Sequence, residues 1–303
     1  MIQAMNPRGP QGMHSIERLC RLAGISRAGY YRHWQTGSPH AEDMDVRDHI
    51  QRVALAYRSY GYRRVTAQLR REGLAVNHKR VLRITQEDNL LCQRQRPFVP
   101  TTTDSRHSWQ VVPNLVRGLD VTGLDQLWVA DITYIRLEEE FVYLAVVIDA
   151  FSRRVIGWAL ETHLRAELAI AALTMAVALR KPNPGSLIHH SDRGVQYACG
   201  DYTAMLGLHD IRPSMSRVGN PYDNAKAESF MKTLKAEEVN GASYKDADMA
   251  RAAMATFIED VYNRQRLHSA LGYRPPVEFE EILPSHWAAA QQPNETSLET
   301  NCP

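Results

Sequence analysis

Leu127-Trp-Val-Ala-Asp131-Ile-Thr-Tyr-Ile135 is an apolar, β-branched run interrupted by one carboxylate. It reads as a buried β-strand, and alternation puts Val129, Asp131 and Thr133 on one face. An ionised carboxylate in such a place costs several kcal/mol unless a cation or hydrogen-bond donors answer it. Two more strand-like runs, Phe141–Asp149 and Arg154–Glu161, follow through connections short enough for hairpins, so the three are expected to pair antiparallel. Next come an Ala-rich helix from Ala166 to Arg180, a Pro-Asn-Pro-Gly turn and a short apolar strand running into Asp192. A helix near Ala198–Gly207, a strand around Ile211 and a helix from Asn220 to Val239 complete the run. Three strands followed by alternating helix and strand specify an α/β fold, a mixed five-stranded sheet with helices on both faces.

Two further carboxylates make a set with Asp131. Asp192 ends the apolar strand, and Gly194 lets the loop turn sharply behind it. In the last helix Asn220 is the expected N-cap and Pro221 suits the first helical position. At 100° per residue Asn224, Glu228 and Lys235 fall within about 40° of one another, beside the apolar stripe Ala227, Met231 and Leu234. Glu228 therefore stands at the edge of the buried face. Sixty residues lie between Asp131 and Asp192, and 35 between Asp192 and Glu228.

This pattern resembles the catalytic core of retroviral integrases and of the transposases that share it. The words "WVADITYI", "YLAVVIDAFSRRVIGWAL", "HHSDRGVQY", "GNPYDNAKAESFMKTLKAEEV" and "YNRQRLHSALGYRPPVEFE" narrow the likeness. From about residue 15 to about 280 the chain resembles the OrfB transposase of the third bacterial insertion-sequence family. Two small departures are Asp125-Gln126, where the family commonly has Pro-Asn, and Arg274-Pro275, where it often has Thr-Pro.

The resemblance implies a ribonuclease H-like core in which the first and fourth strands are neighbours, placing Asp131 beside Asp192 with Glu228 above them. It implies a DDE-type transposase that cleaves and joins insertion-sequence ends, with Asp131, Asp192 and Glu228 as catalytic residues and metal ligands. It also implies double-stranded DNA as partner, both terminal inverted repeats and target, together with the OrfA product or its frameshift fusion and a homo-oligomer assembled on DNA.

The chemistry of the residues agrees. Three carboxylates converging on one point repel one another and call for protons or hard cations. Oxygen-only ligands suit Mg²⁺ or Mn²⁺, and two such ions about 3.5–4 Å apart serve in-line phosphoryl displacement. Each residue also has a metal-free reading: Asp192 as a cap for the next helix, Glu228 paired with Lys232, Asp131 accepting hydrogen bonds from a loop. His189 and His190 point to opposite faces, so at most one lies near the site. Lys235 is placed to reach a phosphate, and Asn224 to orient Glu228 or DNA. Two other functions stay open: a ribonuclease H-like nuclease without joining activity, which the basic N-terminal helices count against, and a catalytically silent DNA-binding regulator, which the three carboxylates count against.

Charge is unevenly spread. Residues 1–120 hold 19 Lys and Arg against 10 Asp and Glu, and the rest holds 17 against 24. A basic first third is the footprint of a polyanion partner. Within it, "SIERLCRLAGISRAGYYRHW" has helix-turn-helix grammar, a packing signal that an ordinary helical hairpin shares, with Ile16, Leu19 and Cys20 or Leu22 inward, and a second helical unit begins near Asp45. There Asn77 is expected to cap a helix with Val81 and Ile84 inward and Lys79, Arg80 and Arg83 outward, suited to DNA contact. For Arg264, Arg266 and His268 near the end three readings stand open: contact with DNA, support of the Glu228 helix, or a packed C-terminal tail with solvated charges.

The expected layout is a disordered leader (1–14), a helix-turn-helix-like segment and linker (15–40), a second helix-turn-helix unit (41–92), a linker (93–123), the catalytic core (124–240), a C-terminal helix and tail motif (241–283) and a disordered tail (284–303). Four scattered cysteines without a CxxC pair argue against disulfides and zinc. No run of 18 apolar residues indicates a membrane span, and a bacterial cytoplasmic setting, nucleoid-associated on DNA, is expected.

Overall fold

The computed structural model describes residues 16–34, 43–90, 92, 112–217 and 224–283. The expected leader, the linker from 35, most of the 93–123 linker, the Asn220-Pro221 helix start and the tail from 284 lie outside these residues.

Five strands make the central sheet: β1 (Leu127–Arg136), β2 (Phe141–Asp149), β3 (Val155–Glu161), β4 (Ile188–Ser191) and β5 (Arg212–Met215). Their order is β3-β2-β1-β4-β5. The two hairpin pairs are antiparallel, and β1–β4 and β4–β5 are parallel. Strand two running against the rest in this order is the ribonuclease H-like sheet.

Each sheet face carries its own core. On one, Leu127, Val129 and Ile135 of β1 pack with Ala227, Phe230, Met231 and Leu234 of one helix and with Phe257, Ile258 and Tyr262 farther on. On the other, Trp128 and Ala130 pack with Leu168, Ala172, Leu173 and Ala176. The strand alternation expected at 127–135 thus sorts its side chains between two layers of helix.

The Ala-rich helix, Ala166–Arg180, has the bounds expected, and its composition has a cause: it lies directly on Gly157 of β3. A Cβ at Gly157 would stand 2.1 Å from the Ala172 carbonyl oxygen and 2.9 Å from the Ala176 Cβ. The helix expected near 198–207 is two short ones, Val195–Ala198 and Gly200–Leu208, interrupted at Cys199. The described part of the Glu228 helix is Ala225–Leu234, continuing as a wider π-type turn, Lys235–Val239. The helix expected from Asp246 to Arg266 begins at Ala247, with the Asp246 side chain accepting from the Met249 N–H at 2.8 Å. It also widens into π-type turns, over Thr256–Gln265.

Helices Ile16–Leu22 and Arg27–Trp34 meet at Gly24, whose φ of 65° makes the turn. Cys20 is buried whereas Leu22 is 78% exposed, so of the two alternatives Cys20 is the inward one. Helices Met44–Ala56, Tyr62–Arg71 and His78–Glu87 enclose a separate core of Ile50, Val53, Val65, Leu69, Val81 and Ile84. Asn77 caps the last of them by accepting from the Lys79 N–H at 2.9 Å. Residues 112–123 have no regular structure, yet Val112 packs on one face of the main core and Val116 and Val121 on the other. That stretch of the expected linker is laid against the domain that follows it.

Candidate active site

Asp131 sits mid-strand, opposite Val146 of β2. On its other side β1 and β4 run in parallel register, Leu127 with Ile188 and Val129 with His190. Two more steps bring Asp131 level with Asp192, one residue past the end of β4, on strands about 5 Å apart. The helix carrying Glu228 is fastened along β1 at two points. Asn224 Nδ2 donates to the Ala130 carbonyl at 3.0 Å, and Lys235 Nζ lies 4.8 Å from the Tyr134 ring centroid. Glu228 falls between these anchors, above Asp131.

Asp131 feels the charge of both other carboxylates. The Asp131 carboxyl is pushed up to about 7, first by the protein atoms crowding it, then by the charge of Asp192, with Glu228 adding to the effect. The N–H of Ile132 donates to its Oδ1 at 2.9 Å, and Lys235 opposes the shift without cancelling it. Asp192 Oδ1 accepts from the Gly194 N–H at 2.9 Å, so the sharp turn helps to hold the carboxylate. A Cβ at Gly194 would come within 3.0 Å of that same oxygen. Glu228 makes the helical pair with Lys232, 3.3 Å away and well exposed. Among the described residues no three His, Cys, Asp or Glu side chains stand close enough, as they are turned here, to hold a metal ion together. Asp131 and Asp192 stand level on neighbouring strands, with Glu228 turned toward Lys232.

The other expected site residues are distributed as follows. Both histidines are buried and engaged in the sheet layers: His189 Nε2 meets the Tyr202 hydroxyl at 3.0 Å, and His190 lies between Ser214 and Ser216 at 2.9 and 3.0 Å. Burial drives His189 down to about 3. Lys79 is exposed on its helix. Arg80 and Arg83 both reach Asp43, at 2.6 and 2.7 Å, and that carboxylate is 3% exposed, so the two arginines hold the helical unit together. Lys235 is half-buried, and burial lowers its pKa against the pull of Asp131.

Three further residues have contacts that the sequence did not specify. Tyr197 is buried, 3% exposed, its hydroxyl has no hydrogen-bond partner among the described residues, and burial pushes it up, with Asp192 and Asp131 among the charges that add to the effect. Asp125, where the family commonly has Pro-Asn, accepts from Trp128 Nε1 at 2.8 Å, and its own N–H donates to Asp149 at 2.8 Å. Arg266 donates to both oxygens of Glu237 in the turn that ends the Glu228 helix. Its support of that helix was one of the three readings open in the sequence.

Comparison with known proteins agrees with this architecture. Residues 122–221 match the integrase core domain family, 209–276 match a second integrase core family, and 41–98 match an HTH-like domain family. The transposase InsF of insertion sequence IS3A from Escherichia coli is 38% identical over 276 residues, covering 89% of this chain and 95% of that protein. An uncharacterised 31 kDa protein of insertion element IS600 from Shigella sonnei is 38% identical over 268 residues, covering 87% and 97%. Among solved structures, the HTLV-2 integrase catalytic core domain in complex with magnesium overlaps 52% of this chain and 97% of its own at a TM-score of 0.40 and 15% identity. With relatives at this identity matched over nearly their whole length, and with integrase core and HTH-like matches within the chain, it belongs to the IS3 family of insertion-sequence transposases.

Proposed function

We propose that this transposase cleaves the ends of its insertion sequence and joins them to target DNA at a site built from Asp131, Asp192 and Glu228, which would hold two divalent cations, Mg²⁺ or Mn²⁺. The observation that carries the reading is the Asp131 carboxyl, raised to about 7 by burial and by two neighbouring carboxylates. Gathering like charge in this way is unfavourable for a purely structural cluster and suits a hard cation with oxygen ligands. The donor set fits. An exposed helical pair such as Glu228–Lys232 contributes about 0.3–0.5 kcal/mol, so little opposes Glu228 turning inward. When bound, such ions activate a water or a 3′-hydroxyl and stabilise the leaving oxygen of an in-line displacement.

The chain's own groups supply position. Gly194 fixes the Asp192 carboxylate, Asn224 ties the start of the Glu228 helix to β1, and Lys235 brings a cation beside Asp131 for a backbone phosphate. Lys79 offers an exposed cation to duplex DNA, while Arg80 and Arg83 present theirs from a position set by Asp43. Terminal inverted repeats and target are the DNA partners, with the protein as a homo-oligomer on DNA, joined or fused to the OrfA product.

Asp131→Asn, Asp192→Asn and Glu228→Gln keep shape and remove one ligand charge each. Every one is expected to abolish end cleavage and strand joining while leaving the fold and DNA binding nearly unchanged. Ordinary activity in any of the three would remove that residue from the site.

A further inference from the structure

The segment after Gln265 contacts two parts of the molecule with consecutive residues. Arg266, 6% exposed, donates from Nε and Nη2 to the Glu237 carboxylate at 2.8 to 3.0 Å. Leu267 points the other way, its side chain 1% exposed inside the core of the HTH-like unit. Its N–H donates to the Tyr60 hydroxyl at 2.9 Å, and its carbonyl accepts from Arg64 Nε at 3.1 Å. Farther on the pattern repeats: Glu278 is gripped by Arg71 of the HTH-like unit at 2.9 and 2.5 Å, and Glu280 by Arg154 and Arg180 of the catalytic core.

The core end of this strap leads to the site. Glu237 shares its five-residue π-type turn with Lys235, whose ammonium faces Tyr134 and acts on Asp131. Phe230, on the Glu228 helix, meets Tyr262 edge-on at 4.8 Å, and Tyr262 meets His268 of the strap at 4.8 Å. A carboxylate held through both oxygens by a planar guanidinium is fixed in direction as well as distance, which an apolar contact is not. Buried ion pairs of this kind add little net stability, and their best-attested use is to set register.

We propose that Arg266 and Glu237 are positioning residues, through which the HTH-like unit, on seating against DNA, sets the placement of the helix that carries Glu228. The proposal rests on the reading of Glu228 given above, and the following test separates the two.

Amide hydrogen exchange over residues 225–239 is followed in the full-length chain, with and without duplex DNA carrying the element's ends, for the unaltered protein, Arg266→Lys and Tyr60→Phe. Tyr60→Phe removes one hydroxyl and spares the ion pair, so it keeps the test open should the buried-pair variant fold poorly. DNA is expected to slow exchange by about tenfold in the unaltered protein and by less than about threefold in either variant. Single-turnover end nicking with Mn²⁺ at saturating DNA is expected to fall by about tenfold in both, with DNA affinity held within about threefold. Equal DNA-induced protection in all three proteins overturns the coupling, as does a nicking loss that comes wholly from weaker DNA binding. DNA-induced protection that the variants lose, in a protein whose Glu228→Gln form nicks as the unaltered one does, supports the coupling and counts against the role given to Glu228.

Discussion

At Asp131, burial and neighbouring charge act in the same direction, which gives the site a pH signature. The carboxyl titrates near 7 in the folded chain and near its ordinary value of 3.8 when unfolded. Above pH 4 the unfolded chain releases this proton while the folded chain still holds it, so stability falls as pH rises and levels off above 7. Without metal, Asp131→Asn is therefore expected to raise the melting temperature at pH 8 by about 5 °C and to change it little at pH 4. Millimolar Mg²⁺ or Mn²⁺ should raise the melting temperature of the unaltered protein, and Asp131→Asn should remove most of that gain. A melting curve that ignored both pH and metal would contradict the electrostatic account. The three carboxylates were legible in the sequence because each breaks a local pattern: a strand face, a strand end, the rim of an apolar helical stripe. Asp125 and Glu237 break none. Their partners, Trp128 and Arg266, become neighbours only through a turn at positive φ and through the return of a distant segment.

Among the elements, the contact of helix Ala166–Arg180 with β3 is the least forgiving. Gly157→Ala forces a methyl into the backbone of Ala172 and Ala176, neither of which can swing aside. A loss of about 3 kcal/mol or more is expected in denaturant unfolding, at the upper end of overpacking costs. Gly194→Ala is the milder counterpart, since it crowds the Asp192 carboxylate at 3.0 Å and should reduce cleavage more than stability. The strands and the Ala-rich helix could be read from sequence because alternation, short connections and small residues all agreed there. The π-type turns at Lys235–Val239 and Thr256–Gln265 could not, since an apolar stripe at α-helical spacing looks the same until one extra residue is taken into a turn. The break at Cys199 was hidden for a related reason: Gly200 follows it, and a glycine inside an apolar run marks either a packing site or an end.

For the whole molecule, the basic first third foretold a nucleic-acid partner, but its formal charge overstates its net positive field, because Arg80 and Arg83, though partly exposed, lie against Asp43 and Arg71 lies against Glu278. Lys79→Ala should weaken duplex binding and reduce the salt slope by about one. Arg83→Ala should act chiefly by loosening the helical unit, visible as a lower melting temperature, because Asp43 loses one of its two arginines. The strap gives the molecule a second kind of connection. Leu267, Tyr273 and the Arg71–Glu278 pair hold the HTH-like unit to the rest of the chain without any peptide bond between them. A protease site introduced near position 100 would sever the covalent link and leave that contact in place. While the link is whole, each unit meets the other at an effective concentration on the order of millimolar. Once it is cut, the two pieces should co-elute at high protein concentration and separate on dilution, and end cleavage should fall more steeply on dilution than it does for the intact chain.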